Sequence, residues 1–423
     1  MFDLYRGANP AAGIVYYANA APPVESFAGL LAAAGAEIVP LDDPGDDEVW
    51  AFALRHPAFG GAKVWQPRKL PDVGEYLQFG HGLTPGERAT AQAPGGAVRI
   101  LVPTAYRSVL RERKRLLRFL DLLMTDDAVL AVDLASGLPW SKASLAGEVA
   151  HDALLDPASL YVYHAVRSDD GRATWIHTHG LSEFGAFDLD ILAPNEFSER
   201  QADDILRALT FAMLEGGITD RTESFRLALP DGDVSLVPAR EFMENASAEN
   251  RALRETGGTG KPHLAKRAVV CDPFSGELSA SNRPRPSTFL AERADAEIRF
   301  TYTDTAFELT GARGKATRST LGSVMEEFAS VPLTTRVRLG FPRATSTNPE
   351  QLWFEVHSIR CDSVDCTVDS TLLDEPSDVM DMHRGLRAVQ SLSRLSDWLI
   401  STPAGTITPR SPLPLRLLRE TSA

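Results

Sequence analysis

The sequence predicts an α+β protein, and three observations carry that expectation. Short alternating apolar and polar runs recur along the whole chain, helically spaced apolar residues separate some of them, and strand pattern dominates the C-terminal part. Hydrophobic content of 43% with 24% charged residues supports packed cores rather than disorder. The 423 residues exceed what one core usually serves, because domains run to about 100–200 residues. The expected architecture is therefore a larger N-terminal part of mixed sheets with flanking helices, followed by a smaller, mainly antiparallel C-terminal domain curled toward a barrel.

The elements follow in order. Strands are expected at "GIVYYA" (13–18), "AEIVPL" (36–41), "VWAFAL" (49–54) and "GAKVWQ" (61–66), with a helix at Val24–Ala34 between the first two. After the breaker "QAPGGA" (92–97) come a strand "VRILVPT", a helix near 107–124, a strand "AVLAVDLASG" and a helix from Ser141. That breaker suggests two subdomains, 1–95 and 96–245. Two alternating runs in "SLYVYHAVRSDDGRATWIHTHG" form a hairpin around Ser168–Gly171, because Asp and Gly tolerate the positive φ of a tight turn. The strand "AFDLDIL", a helix at Glu199–Glu215 and a hairpin around Pro230–Asp233 complete the N-terminal part. From 246 to 263, "ASAENRALRETGGTGKPH" loses apolar periodicity, so a linker or exposed loop is expected there, with a C-terminal domain over 264–423. "GGTGKP" is not a phosphate loop, since Glu255 and Pro262 stand where that motif needs Gly and Ser or Thr. The last part offers a helix near Leu321–Ala329, strands at "TRVRLGFP", "QLWFEVHSIRC", "VDCTVDS", "RAVQSL" and "LSDWLI", and a Pro-rich tail.

Charge excludes some functions. A net charge of −14 repels a phosphate backbone, so nucleic acid is not an expected partner. The one basic run, "RSVLRERKRLLRF" (107–119), reads as a solvated helix face. The N-terminus shows no secretory pattern, and no apolar run reaches the roughly 18 residues a membrane span needs. Three cysteines, Cys271, Cys361 and Cys366, suit a reducing compartment better than a disulfide scaffold, so the chain reads as cytoplasmic. A turn at Ser363–Val364 would set Cys361 opposite Cys366, as two apolar thiols side by side or as a redox switch.

Residues 349–400 carry a resemblance. "PEQLWFEVHSIRCDSVDCTVDSTLLDEP", followed by "MHRGLRAVQSLSRLSDWLI", resembles the YegJ-like bacterial family known as domain of unknown function twenty-three fourteen. Glu350, Trp353, Val356, Gly385, Val389, Asp397 and Trp398 match its pattern, whereas Leu386 stands where that family usually has Asp. "ATWIHTHGLSEFGAFDLDIL" is similar to a second uncharacterised family often fused ahead of the first. The resemblances imply a fold and a bacterial source, and no activity.

The passage closest to chemistry is "WIHTHGLSEFGAFDLDIL" (175–192). On a strand, His177 and His179 face the same way with Trp175, and Glu183, Asp188 or Asp190 could add a third ligand to a zinc ion. Against metal, the His-Glu-x-x-His pattern and any Cys pair near these histidines are missing. Asp188 and Asp190 also fit a half-buried strand that turns its acids outward. Trp353, Asp397 and Trp398 are the other positions that could line a ligand site, although a Trp is more often a core anchor. No nucleophile elbow occurs. The expectation is a non-enzymatic binding or protein-interaction module without metal or cofactor, its partner a protein or small ligand. The alternative is a metal-dependent hydrolase using His177 and His179.

Overall fold

The continuous apolar run "AAGIVYY" becomes β1 (Ala11–Tyr17), and six of its seven residues are buried, so both faces of this strand are covered. The computed structural model describes residues 11–41, 45–78, 82–103, 108–167, 174–193, 199–215, 223–229, 232–255, 266–279, 281–287, 304–342, 349–369 and 385–422. It has two compact units, Met1–Val149 with Leu155–Tyr302, and Ala150–Leu154 with Thr303–Ala423. The expected turn at Ser168–Gly171 lies outside the described residues, as do Pro230 and Asp231 of the later hairpin.

The first unit contains two sheets. The first is formed by β1, β2 (Glu37–Pro40), β3 (Glu48–His56), β4 (Gly60–Pro67), β5 (Gly96–Val102), β6 (Ala128–Asp133) and β7 (Pro139–Trp140). Its order is β2-β3-β4-β5-β1-β6-β7, with every pairing antiparallel. Helices α1 (Val24–Ala33), α2 (Gly74–Gln78), α3 (Pro85–Ala91), α4 (Val109–Leu123) and α5 (Lys142–Val149) accompany it. Thr84 and Glu87 close a reciprocal capping box at the start of α3, which the sequence reading missed. The split at 95/96 does not occur, because β5 sits between β4 and β1. "QAPGGA" is a tight return rather than a domain boundary: a Cβ on Gly96 would lie 2.1 Å from the Ala21 nitrogen, so only glycine lets the two backbones meet.

The second sheet has β8 (Val162–Arg167), β9 (Thr174–His179), β10 (Asp188–Ala193), β11 (Phe225–Leu227), β12 (Val234–Pro238) and β13 (Arg267–Cys271), in the order β11-β12-β13-β10-β9-β8. One parallel pairing, β10 with β13, makes it mixed. Helices α6 (Glu199–Glu215), α7 (Ala239–Asn245) and α8 (Ala248–Glu255) belong to this half. The expected boundary at 246–263 is displaced. Its start is helical (α8), residues 256–263 lie outside the described set, and β13 returns into the second sheet, so the division between units falls at 302/303. Loss of apolar spacing marked a change of element, whereas β13's partners lie tens of residues away in the chain.

The basic run also departs from expectation. In α4, Arg113 and Lys114 are buried. Arg113 Nε donates to Asp133 Oδ2 at 2.7 Å and Lys114 Nζ to Glu148 Oε1 at 2.7 Å. Arg115 donates to the Phe59 carbonyl, and Arg118 lies over the Phe59 ring. A solvated face was the default for unmatched cations, but each buried one here has a partner on a neighbouring element, as buried charges require.

The second unit carries a six-stranded antiparallel sheet, β17-β16-β15-β14-β18-β19, built from β14 (Thr334–Phe341), β15 (Glu350–Arg360), β16 (Ser363–Val368), β17 (Arg387–Ser391), β18 (Leu395–Thr402) and β19 (Gly405–Ile407). It ends at β17 and β19, so it is open rather than a barrel. Strict alternation on β14 puts Val337, Leu339 and Phe341 into a core with Phe354, Trp398, Leu321 and Val324. Helices α9 (Asp304–Ala316), α10 (Arg318–Glu327) and α11 (Leu413–Ser422) complete the unit. The Pro-rich tail is α11: Pro412 and Pro414 occupy its start, where a missing N–H costs nothing, and Leu415 and Leu418 join the core. Cys361 and Cys366 are not opposite one another. The hairpin turns at Cys361–Asp362, with Arg360 facing Ser363 and Cys361 at φ 49°, so Cys361 is exposed while Cys366 faces Val356 in the core. No helix among the described residues is long and apolar enough to cross a membrane.

Candidate functional site

The stretch "TWIHTHG" is β9 and the glycine that ends it, and the period of two places Trp175, His177 and His179 on one face of the second sheet. Trp175 is fully buried, and its ring stacks on His177 with centroids 4.0 Å apart. Across the β8–β9 pairing His164 stands opposite His177, and the three imidazoles gather: His164 to His177 5.0 Å, His164 to His179 5.4 Å, His177 to His179 4.9 Å between ring centroids. His164 was absent from the sequence-based candidates because a turn centred on Ser168–Gly171 pairs it with Trp175, two residues short of the observed register.

On the other side of β9, Asp190 of β10 pairs with His177. Arg267 Nε and Nη2 reach Asp190 Oδ1 at 3.2 and 2.7 Å, and Trp175 Nε1 donates to the same oxygen at 3.2 Å. Arg267 Nη1 donates to the Thr178 carbonyl at 2.9 Å. Both ion-pair partners are almost wholly buried. Asp190 is therefore the acceptor at the centre of a closed network, not an outward acid.

Asp188 secures the corner that follows β9. It accepts from Ser182 Oγ at 2.6 Å, from the Leu181 N–H at 3.0 Å and from Thr178 Oγ1 at 3.2 Å. Burial pushes its carboxyl above the usual range, against the lowering effect of Ser182, Arg267, Leu181 and Thr178. Gly180 makes this corner at φ 121°, and a Cβ there would sit 2.6 Å from the Leu160 carbonyl oxygen and 2.8 Å from Ser136 Cα. The motif thus joins the second sheet to the turn after β6. Arg113, already paired with Asp133, lies over the Phe184 ring from this corner. Glu183 is exposed.

The sequence candidates of the second unit separate. Trp398 is in the core, its Nε1 donating to Thr317 Oγ1 at 3.1 Å. Asp397 is buried on the opposite face, accepting from the Trp398 N–H at 2.9 Å and from Arg410 Nη1 at 3.1 Å. Trp353 is not a core anchor. Its ring lies on that second face, where the Arg338 guanidinium rests 5.6 Å from its centroid and 5.5 Å from that of Phe307, a cation–π sandwich.

A cavity of about 960 Å³ opens in the first unit beside the histidine-bearing face. Leu192, the β10 partner of Trp175, lines it together with Phe274, and both pack in the cluster that contains Trp175, Phe242 and Val269. The rest of the wall is the start of α8 and residues 272–275 and 281–287, none of which sequence reasoning singled out. Ser287 lines it too, 5% exposed, and its hydroxyl has no hydrogen-bond partner among the described residues. No group of three or more His, Cys, Asp or Glu able to hold a metal ion occurs among the described residues.

Residues 162–259, which span β8 to α8 and include His164, His177, His179 and the first turn of α8, match the family model described as protein of unknown function (DUF4026) C-terminal. The histidine-bearing face therefore falls within a domain of unknown function. No curated protein and no solved structure matches the chain.

Proposed function

We propose that this chain is a non-enzymatic binding module whose ligand, a small molecule or a protein segment, enters the cavity beside the second sheet. The cavity carries this reading: about 960 Å³ falls within the roughly 300–1,000 Å³ of ligand pockets. The side chains a reaction would recruit are engaged with one another, Asp190 with Arg267 and Trp175, and Asp188 with Ser182 and Thr178. A cytoplasmic setting, supported by three free cysteines, and a bacterial source with a YegJ-like C-terminal domain, supported by the resemblance at Glu350, Trp353, Val356, Gly385, Val389, Asp397 and Trp398, belong to the same proposal. Native mass spectrometry of protein purified without denaturant is expected to show a bound mass that Asn250→Trp, which fills the cavity, removes. A mass retained in that variant would place the ligand elsewhere.

The trio of imidazoles favours one other reading, a metal-dependent hydrolase using His177 and His179 with His164. Geometry weighs against it, because the nearby acids are held by Arg267, Trp175 and the Gly180 corner rather than offered to an ion. Untagged protein is expected to carry far less than one equivalent of zinc. A full equivalent that disappears in the His177→Ala, His179→Ala double variant would replace the module with the hydrolase.

A further inference from the structure

The sheet of the second unit has one uncovered edge, β17. The Val368 N–H donates to the Leu386 carbonyl at 3.0 Å and the Leu392 N–H to the Asp362 carbonyl at 2.8 Å, on either side of the β16–β17 register. Hydrogen bonding alternates along an antiparallel strand, so Ala388 and Gln390 also turn their N–H and C=O groups toward β16. Arg387, Val389 and Ser391 therefore turn theirs outward, and no hydrogen bond reaches those backbone groups among the described residues. All three residues are exposed, and Val389, at 69%, is the most exposed large apolar side chain among the described residues. Such an edge is a template for another strand, which proteins usually blunt with proline, a bulge or brevity. The opposite edge is blunted: β19 has three residues, and Pro414 of α11 lies 3.4 Å from where a Cβ on Gly405 would be. β17 has five residues, no proline and an unbroken register.

We infer that β17 pairs with β17 of a second copy of this chain, antiparallel about a two-fold axis through Val389. The outward groups select the register. Only with Val389 opposite Val389 and Arg387 opposite Ser391 does every outward residue of one copy meet an outward residue of the other as a hydrogen-bonded pair. The side chains agree with it. Arg387, Val389 and Ser391 share the face of Asp365, so the two valines cover one another at the axis and each Arg387 faces a serine rather than the other arginine. Asp365 already neutralises Arg387, with contacts at 2.9 and 2.6 Å, so no like charges oppose the approach. A two-fold contact needs a patch complementary to itself, and this strand is one. The contact is small, below the about 1,200 Å² of stable complexes, so the expected state is a reversible equilibrium of monomer and dimer.

Sedimentation of the full chain from about 10 µM to about 1 mM, the range of weak association, tests this together with residue-resolved hydrogen exchange. The average mass is expected to rise from that of one chain toward that of two. The Arg387, Val389 and Ser391 amides are expected to gain protection as it does, while Ala388 and Gln390 stay protected throughout. Val389→Pro removes one outward N–H and leaves the β16 ladder intact, a position where an edge strand tolerates proline. Val389→Lys keeps that N–H and sets two cations against each other at the axis. Each variant is expected to weaken association about tenfold. An unchanged melting temperature establishes that a variant folds, and Val389→Lys decides alone if Val389→Pro does not fold. A single-chain mass at every concentration overturns the dimer, as does association that the folded variants leave unchanged or that grows without protection of the three amides. Protection of those amides in a single-chain species also overturns it, and assigns the edge to another segment of the same chain.

Discussion

Arg267→Met is expected to cost the first unit about 3–5 kcal/mol, the penalty for leaving one charge of a buried pair without its partner. Asp190 is fully buried and would keep Trp175 Nε1 at 3.2 Å, while losing both guanidinium contacts. The Thr178 carbonyl would also lose the Arg267 donor. Methionine preserves much of the stem volume, so a cavity term adds little. Because the chain has two units, a global unfolding midpoint is ambiguous, and hydrogen exchange in the β10 and β13 peptides is the appropriate measurement. Pairing the change with Asp190→Leu should recover most of the loss, since replacing both ions with apolar groups is often neutral or better. A single variant costing under about 1 kcal/mol would show that water or another cation reaches Asp190.

How much of this was legible depends on the distance between partners. The strands from β1 to β4 could be read because alternation is local, and α4 could be read from its leucine spacing. What α4 does with its cations was not legible, because Asp133 and Glu148 lie 20 and 34 residues further on and nothing in "RERKRLLRF" points to them. Arg267 and Asp190 are 77 residues apart and meet only through the parallel pairing of β13 with β10. His177 and His179 stood out from their spacing, whereas His164 needed the true register of a hairpin whose turn composition suggested another. Proline misled in the opposite direction at α11, where a residue usually read as a breaker begins the helix.

Trp398 and Trp353 test the same logic on the second unit. Both were expected to be anchors, and both lie on central strands, yet they face opposite sides of the sheet. Trp398 pairs with Val337 and is 1% exposed, whereas Trp353 pairs with Arg338 and is half-buried beneath it. A tryptophan ring buries about 150–250 Å², so Trp398→Ala should destabilise the unit by about 3–5 kcal/mol. Trp398→Phe should cost less, on the order of 1 kcal/mol for the lost hydrogen bond plus part of the volume, because Thr317 Oγ1 still donates to the Arg313 carbonyl at 2.9 Å. Trp353→Ala removes one face of the Arg338 sandwich and leaves Phe307 and the Ser396 contact at 3.3 Å in place. Its expected cost is about 1–2 kcal/mol, from a cation–π contact of about 0.5–2 kcal/mol and partial burial. Exchange protection of the β14 and β18 amides reads both variants. Equal losses would mean that Trp353 is as deeply buried as Trp398, and its assignment to a half-buried position beneath Arg338 would fail.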